Sequence, residues 1–266
     1  MRSKRRKTIS ASVSKEDIKT GLRELGLKKG DAVGVHSSLS QFGYVEGGAG
    51  AVIDALLEVV GEEGTIVMPT HSSNLLKVEM SPEQKAMGVS WLFRILPYDP
   101  EKTPCTTGLI PETFRKRKGT VRSAHPVTSL AAKGSKAKEI VEAGRESVRG
   151  GWQKLLDVGG YVLLLGVGLD RCTAMHLAEN RVQFPRHILE KVTPPKEFVE
   201  KYPEKEWEWD FGPYPDFAKL EEPCREHCIM KTVKVGEATL KLIRLRELID
   251  LYTEYLTKNP DLFYHS

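Results

Sequence analysis

Cysteine is scarce in this chain, four residues in 266, and long apolar runs are missing altogether. Four cysteines, at positions 105, 172, 224 and 228, are too few for the disulfide framework that staples small secreted domains, and they fit a reducing compartment. No apolar run approaches the roughly 18 residues of a spanning helix. The N-terminal MRSKRRKT is basic, but no apolar stretch follows it as a secretory signal requires. The expectation is a cytoplasmic protein with no membrane partner. Two site signatures are also absent. There is no G-x-S-x-G elbow to present a serine nucleophile, and the glycine-rich stretch 43–50 lacks the G-x-G-x-x-G order of a dinucleotide loop.

Positive charge outside the N-terminus is not in excess either. The formal charge is +4, yet Arg2, Lys4, Arg5, Arg6 and Lys7 alone supply five cations with no acid among them. Residues 1–13 therefore read as a basic, frayed tail, and no basic face interleaved with aromatic residues marks a nucleic-acid partner.

What is present is a chain long enough for one large α/β domain, 14–266, with 194–266 as a candidate subdomain. Ser14 to Leu25 has helical spacing with Ser14 and Asp17 as caps, and Asp31 to His36 alternates like a strand. Ala51 to Val60 is helical, and Thr65 to Met68 is a short β-branched strand. That order is a βαβ unit, and it predicts a central mixed or parallel sheet flanked by helices. One helix is expected near Ser81 to Leu96, another opening at Pro111, and a third over Ala137 to Gly144. A strand is expected at Val127 to Ala131, and the doubly apolar Tyr161 to Leu165 reads as a central strand. A hairpin (Ile229 to Val235, Thr239 to Leu245) and a helix from Arg246 to Thr257 close the chain.

Chemistry concentrates in Gly160 to Arg181, GYVLLLGVGLDRCTAMHLAENR. An apolar strand runs into a glycine-rich turn, and the helix beyond it carries His176 and Glu179 three residues apart, on one face. A carboxylate beside an imidazole fixes its tautomer and readies it as a proton acceptor, so the pair reads as a general base with its orienter, or else as a surface ion pair. Thr173 either offers a hydroxyl to a developing oxyanion or caps the helix. Cys172 and the serines of His36-Ser37-Ser38 are the rival nucleophiles. Cys224-x-x-His227-Cys228 offers three zinc ligands where a structural site takes four, so no metal is expected.

Thr173-x-x-His176-x-x-Glu179 after GVGLD resembles the signature of the aminoglycoside 3-N-acetyltransferase family. Asp31 to Gly43, Thr65 to Ser72, Thr107 to Arg115 and Thr120 to Leu130 stand in the order and at the separations of that family's other blocks. The resemblance spans about residues 14 to 250. It implies acetyl transfer from acetyl-coenzyme A to an amine, by direct transfer in a ternary complex. A cofactor groove is implied at Ser37, Ser38, Leu39, Thr107, Gly108, Arg122, Ser123, His125 and Ser129. The common acetyltransferase phosphate loop R/Q-x-x-G-x-G/A is approached only by Arg23-x-x-Gly26-Leu27-Lys28, which fails at its last position, and the H-x-x-x-D-G motif of another acyltransferase class is absent.

The implied acceptor is polycationic, which calls for carboxylates around it. Glu197 to Glu226 holds ten acids against four basic residues and is a candidate wall. Asp170, Trp152 and His71 are the individual acceptor-side candidates, with Trp152 read either as a platform for a sugar ring or as core. The family carries a longer, more acidic insertion where this chain has the apolar and basic stretch Leu75 to Tyr98. A non-antibiotic amine therefore stays open as the acceptor. A coenzyme A thioester hydrolase and a non-catalytic coenzyme A binding protein are the readings from other classes.

Overall fold

The computed structural model describes residues 12–72 and 74–264. The charged part of the N-terminal tail lies outside these residues. Ser12 and Val13 do not belong to a frayed end. Val13 is buried, bridges to Val45 and donates its N–H to the Tyr44 carbonyl at 2.8 Å.

Among the described residues ten strands form two sheets: β1 (Ala32–Ser37), β2 (Thr65–Pro69), β3 (Leu75–Lys77), β4 (Val89–Ile95), β5 (Val121–Arg122), β6 (Leu130–Gly134), β7 (Tyr161–Leu165), β8 (Trp207–Phe211), β9 (Met230–Val235) and β10 (Ala238–Arg244). The larger sheet has the order β5-β6-β2-β1-β7-β10-β9, and the smaller is β3-β4-β8. At the centre of the large sheet β1 runs parallel to both β2 and β7, and every flanking pairing is antiparallel. The expected βαβ unit is β1, the helix Gly48–Val60 and β2. Parallel neighbours need such a crossover, whereas the β9-β10 hairpin closes through Gly236 at φ 59°. Register pairs such as Leu242 with Leu163 build that hairpin into the main sheet.

Apolar side chains cover both faces. Val33, Val35, Leu163 and Leu165 meet the helices Lys15–Glu24 and Gly48–Val60 on one side. Val162 and Leu164 meet the helices Val148–Asp157 and Leu245–Lys258 on the other. Helices on opposite faces on either side of β1 open a crevice beyond the carboxyl ends of the central strands, where α/β sheets bind ligands. Among the described residues no helix is long and apolar enough to cross a membrane.

Three local expectations need correction. The helix near Ser81 to Leu96 is only Pro82–Ala86, capped by Ser81 and ended by Gly88 at φ 91°; β4 follows, because Val89 and Leu92 bury themselves against Phe198 and Phe211. The helix around Pro111 begins at Leu109, leaving proline in the first turn, where its missing N–H is harmless. The strand expected at Val127 to Ala131 is β6, displaced toward Gly134, since His125 holds residues 127 and 128 in a turn.

Candidate active site

β7 ends at Leu165, Gly166 turns the chain at φ 69°, and two short 3-10 turns lead into the helix His176–Glu179. His176 Nδ1 and Glu179 Oε1 are 2.8 Å apart, and both side chains are mostly buried. The second carboxylate oxygen, Oε2, lies 3.5 Å from Arg149 Nη2. The imidazole packs edge-on against Phe217 at 4.9 Å and Tyr214 at 6.0 Å. With Nδ1 committed to the carboxylate, Nε2 is the atom left to take a proton.

A cavity of about 1190 Å³ opens beyond the ends of β1, β2 and β7. Its wall includes Ser37, Ser38, Leu39, Thr107 and Gly108 of the predicted groove, together with His71, Asp170 and Thr173. Burial first, and then the neighbouring His125, His176 and Arg122, push His71 down to about 4, so its ring is neutral near neutral pH. His36 at the end of β1 is pushed down to about 3 by the same desolvation. His36 Nε2, His71 Nε2 and Ser37 Oγ are buried without a hydrogen-bond partner among the described residues.

Four predicted groove residues lie elsewhere. Arg122 spends its guanidinium on the carbonyls of Thr70 (2.7 Å) and Thr103 (2.5 Å) and on Ser129 Oγ (3.0 Å). Ser129 Oγ in turn donates to the Thr70 carbonyl, and Ser123 Oγ accepts from Leu130 N–H at 2.9 Å. His125 Nδ1 accepts from the N–H groups of residues 127 and 128. Arg122 and Ser129 brace the segment just after β2, Ser123 and His125 the connection between β5 and β6, and none of the four is on the cavity wall.

Of the two readings of Trp152, platform or core, burial selects core, because the indole is fully buried. It sits on β1 at Gly34, where a Cβ would come within 2.7 Å of the ring. From there it stacks on His36 with centroids 5.5 Å apart and donates Nε1–H to Thr173 Oγ1 at 3.1 Å. The tryptophan therefore holds Thr173 at the cavity wall and is not on that wall itself.

Two of the rival nucleophiles are poorly placed. Cys172 is buried and its thiol is pushed up to about 12 by desolvation, which leaves no thiolate. The Ser37 hydroxyl has no base paired with it among the described residues. Of the three candidate zinc ligands, Cys224 is buried and Cys228 exposed. Among the described residues no three His, Cys, Asp or Glu side chains gather as a metal site.

The acidic segment contributes in a way its composition did not reveal. Glu208 and Asp210 alternate along β8 and so share one face of the strand. Burial pushes Glu208 up to about 7, with the charges of Glu204 and Asp210 adding to it. Burial likewise pushes Asp210 up to about 6, and its neighbours include both His176 and Glu179. Asp210 Oδ2 is buried with no partner among the described residues. The signal was the period-two run Glu206-Trp207-Glu208-Trp209-Asp210, which marks a strand with one polar face. Another acid of the segment, Glu221, anchors the turn after β7. It accepts from Leu169 N–H at 3.1 Å and binds Lys241 Nζ at 2.7 Å through each oxygen.

His176 is not itself on the cavity wall; its charge acts on His71, which is, and on Asp210 of β8. An imidazole held by a carboxylate can take a proton from a cationic amine. A family model described as aminoglycoside 3-N-acetyltransferase matches residues 35–257. The chain belongs to the aminoglycoside 3-N-acetyltransferase family. It is accordingly an acyltransferase, as the five sequence blocks implied.

Some relatives span nearly its whole length, and others about two thirds of it. The prophage-derived aminoglycoside N(3')-acetyltransferase-like protein YokD of Bacillus subtilis (strain 168) is 36% identical over 262 residues, covering 92% of this chain and 93% of that protein. The solved apoenzyme of AAC(3)-IVa superposes with a TM-score of 0.76 at 27% identity, covering 97% of this chain and 94% of the other. A mutant of the same enzyme in complex with a gentamicin matches with a TM-score of 0.75 at 26% identity, covering 98% and 94%.

Proposed function

We propose that this acyltransferase moves the acetyl group of acetyl-coenzyme A to the 3-amino group of an aminoglycoside, with His176 as general base. The observation that carries the reading is the His176–Glu179 pair, hydrogen-bonded at 2.8 Å, whose imidazole charge acts on His71 of the cavity wall and on Asp210 of β8. Coenzyme A occupies the cavity at the ends of the parallel strands, with Ser37, Ser38, Leu39, Thr107 and Gly108 along the pantetheine arm. The acceptor enters from the side of Glu208, Asp210 and Tyr214, held by its positive charges. Use of acetyl-coenzyme A, like the scarcity of cysteine, fits a cytoplasmic enzyme.

A protonated amine cannot attack. His176 Nε2 takes one proton and the nitrogen lone pair adds to the thioester carbonyl; as the C–S bond breaks, the nitrogen's second proton passes to the leaving thiolate, and His176 returns its own to solvent. Glu179 keeps Nδ1 protonated and stabilises the imidazolium that forms. The Thr173 hydroxyl, already accepting from Trp152, has its own proton free to donate to the developing oxyanion.

Support for the aminoglycoside comes from AAC(3)-IVa, whose mutant structure contains a gentamicin, and from the two raised carboxylates here. A simpler amine is favoured by one observation. The region Leu75 to Tyr98 folds into β3 and β4 against β8, a compact sheet edge with the cations Lys77 and Arg94. Thiol release from acetyl-coenzyme A, measured across aminoglycosides and linear polyamines, decides between them. Turnover dependent on an aminoglycoside carrying a free 3-amino group is the expected result. Release at the same rate without any amine would mark a thioester hydrolase instead.

A further inference from the structure

Two aromatic rings flank the imidazole of His176, and packing accounts for only one of them. Phe217, with its centroid 4.9 Å away, is 5% exposed and leads on into the core to Tyr252 at 5.5 Å. Tyr214, 6.0 Å away and at 79° to the imidazole, is 59% exposed. Among the described residues Tyr44 is the one aromatic side chain more exposed than this, and it lies on the cavity wall. A single exposed ring needs no explanation on an ordinary surface. One held still beside His176 does.

The loop that carries Tyr214 is fixed at both ends. β8 stops at Phe211, and Gly212 turns the chain at φ 70°, where a Cβ would come within 2.4 Å of the Lys191 carbonyl oxygen. Gly212 N–H donates to the Gly88 carbonyl at 3.1 Å, and the Gly212 carbonyl accepts from Ser90 Oγ at 3.2 Å, which ties the loop to the start of β4. Pro213 and Pro215 stand on either side of Tyr214 and restrict the backbone there. Beyond them Asp216 N–H donates to the Phe263 carbonyl at 3.0 Å, and Phe217 is buried. A tyrosine side chain has few torsions, so a ring mounted this way loses little freedom when a ligand covers it. The end of β8 therefore carries Asp210, whose Oδ2 is buried without a partner among the described residues, and past one glycine turn an open aromatic ring. A carboxylate suits the ammonium groups of an amine acceptor, and an aromatic face suits the C–H face of a sugar ring.

We propose that Tyr214 is a specificity-determining residue of the acceptor site, its exposed ring packing against the C–H face of an amino sugar ring and so favouring a cyclic acceptor over a linear polyamine. The inference rests on the reading of the β8 side as the acceptor side. The platform that the sequence offered at Trp152 is thereby supplied by a tyrosine in the loop after β8.

Tyr214→Ala is expected to raise the KM for gentamicin roughly fivefold, the size of one aromatic contact. The KM for acetyl-coenzyme A and the affinity for spermidine, a linear polyamine tested as substrate or competitor, are expected to stay where they are. Tyr214→Phe keeps the ring and is expected to recover the wild-type KM. The alanine variant is expected to melt with the wild type, because the ring is exposed. Proton NMR reads the contact without turnover. With gentamicin titrated in the absence of acetyl-coenzyme A, its ring protons are expected to move upfield under the tyrosine ring current in wild type and in Tyr214→Phe, and not in Tyr214→Ala. Unmoved protons in the wild type would overturn the proposal, and so would an equal loss of affinity for spermidine in Tyr214→Ala. If the protons move and gentamicin is nevertheless never acetylated, the assignment of the aminoglycoside as substrate falls while the ring contact stands.

Discussion

His176 is one atom's choice away from being an ordinary helix side chain, and Glu179 makes that choice by bonding Nδ1. Glu179→Gln keeps the shape and removes the charge that stabilises the imidazolium. We expect kcat to drop by roughly 10- to 100-fold, with acceptor KM nearly constant; steady-state kinetics on a folded variant checks it. Trp152 gives the opposite kind of prediction. It is buried on Gly34, so Trp152→Ala is expected to destabilise the fold by about 3–5 kcal/mol, measured by denaturant unfolding. The His176 and Glu179 pairing was legible because helical spacing alone brings residues three apart together. Trp152's place was not, because it depends on a glycine more than a hundred residues earlier making room on β1.

At the scale of elements, the turn after β7 is rigid because Glu221 and Lys241 tie it to the neighbouring strand β10. Gly168 lies in that turn, and a Cβ there would stand 2.6 Å from Asp170 Oδ1 and 2.8 Å from Glu221 Oε1. Gly168→Ala must therefore displace Glu221 from Leu169 N–H. The expected result is a several-fold rise in KM for acetyl-coenzyme A, of the size of one lost hydrogen bond of about 1 kcal/mol, with acceptor KM unchanged. Periodicity revealed β1, β2, β7 and the C-terminal hairpin because each is apolar on a buried face. β8 escaped because its two tryptophans and the acids around them read as composition until pairing with β4 shows which side each faces. Arg122, Ser123, His125 and Ser129 look like ligand residues in sequence, yet each satisfies backbone groups, Arg122 and Ser129 just beyond β2, Ser123 and His125 between β5 and β6. A hydrogen-bonding side chain serves either purpose, and only its partners separate the two.

For the molecule as a whole, the acceptor side is maintained at the expense of stability. Glu208 and Asp210 titrate above the ordinary carboxylate range in the fold, at about 7 and about 6. A group whose folded value is raised binds protons more readily folded than unfolded, so its favourable contribution is full at low pH and is lost as pH rises through 7. The double variant Glu208→Gln, Asp210→Asn is therefore expected to melt higher than wild type at pH 8, with the gain vanishing below about pH 5. The same variant is expected to have a raised acceptor KM. In the wild type, acceptor KM is expected to rise as pH falls from 8 to 6, when the two carboxylates take up protons, and to rise with salt.

The central claim is that His176 removes the proton from the attacking amine. Its most direct test is acetyl-coenzyme A turnover at saturating gentamicin by wild type and His176→Ala, with circular dichroism confirming that both are folded. The account predicts a loss of at least ~100-fold in kcat, the size expected of a positioned base. Turnover within a few-fold of wild type would contradict it.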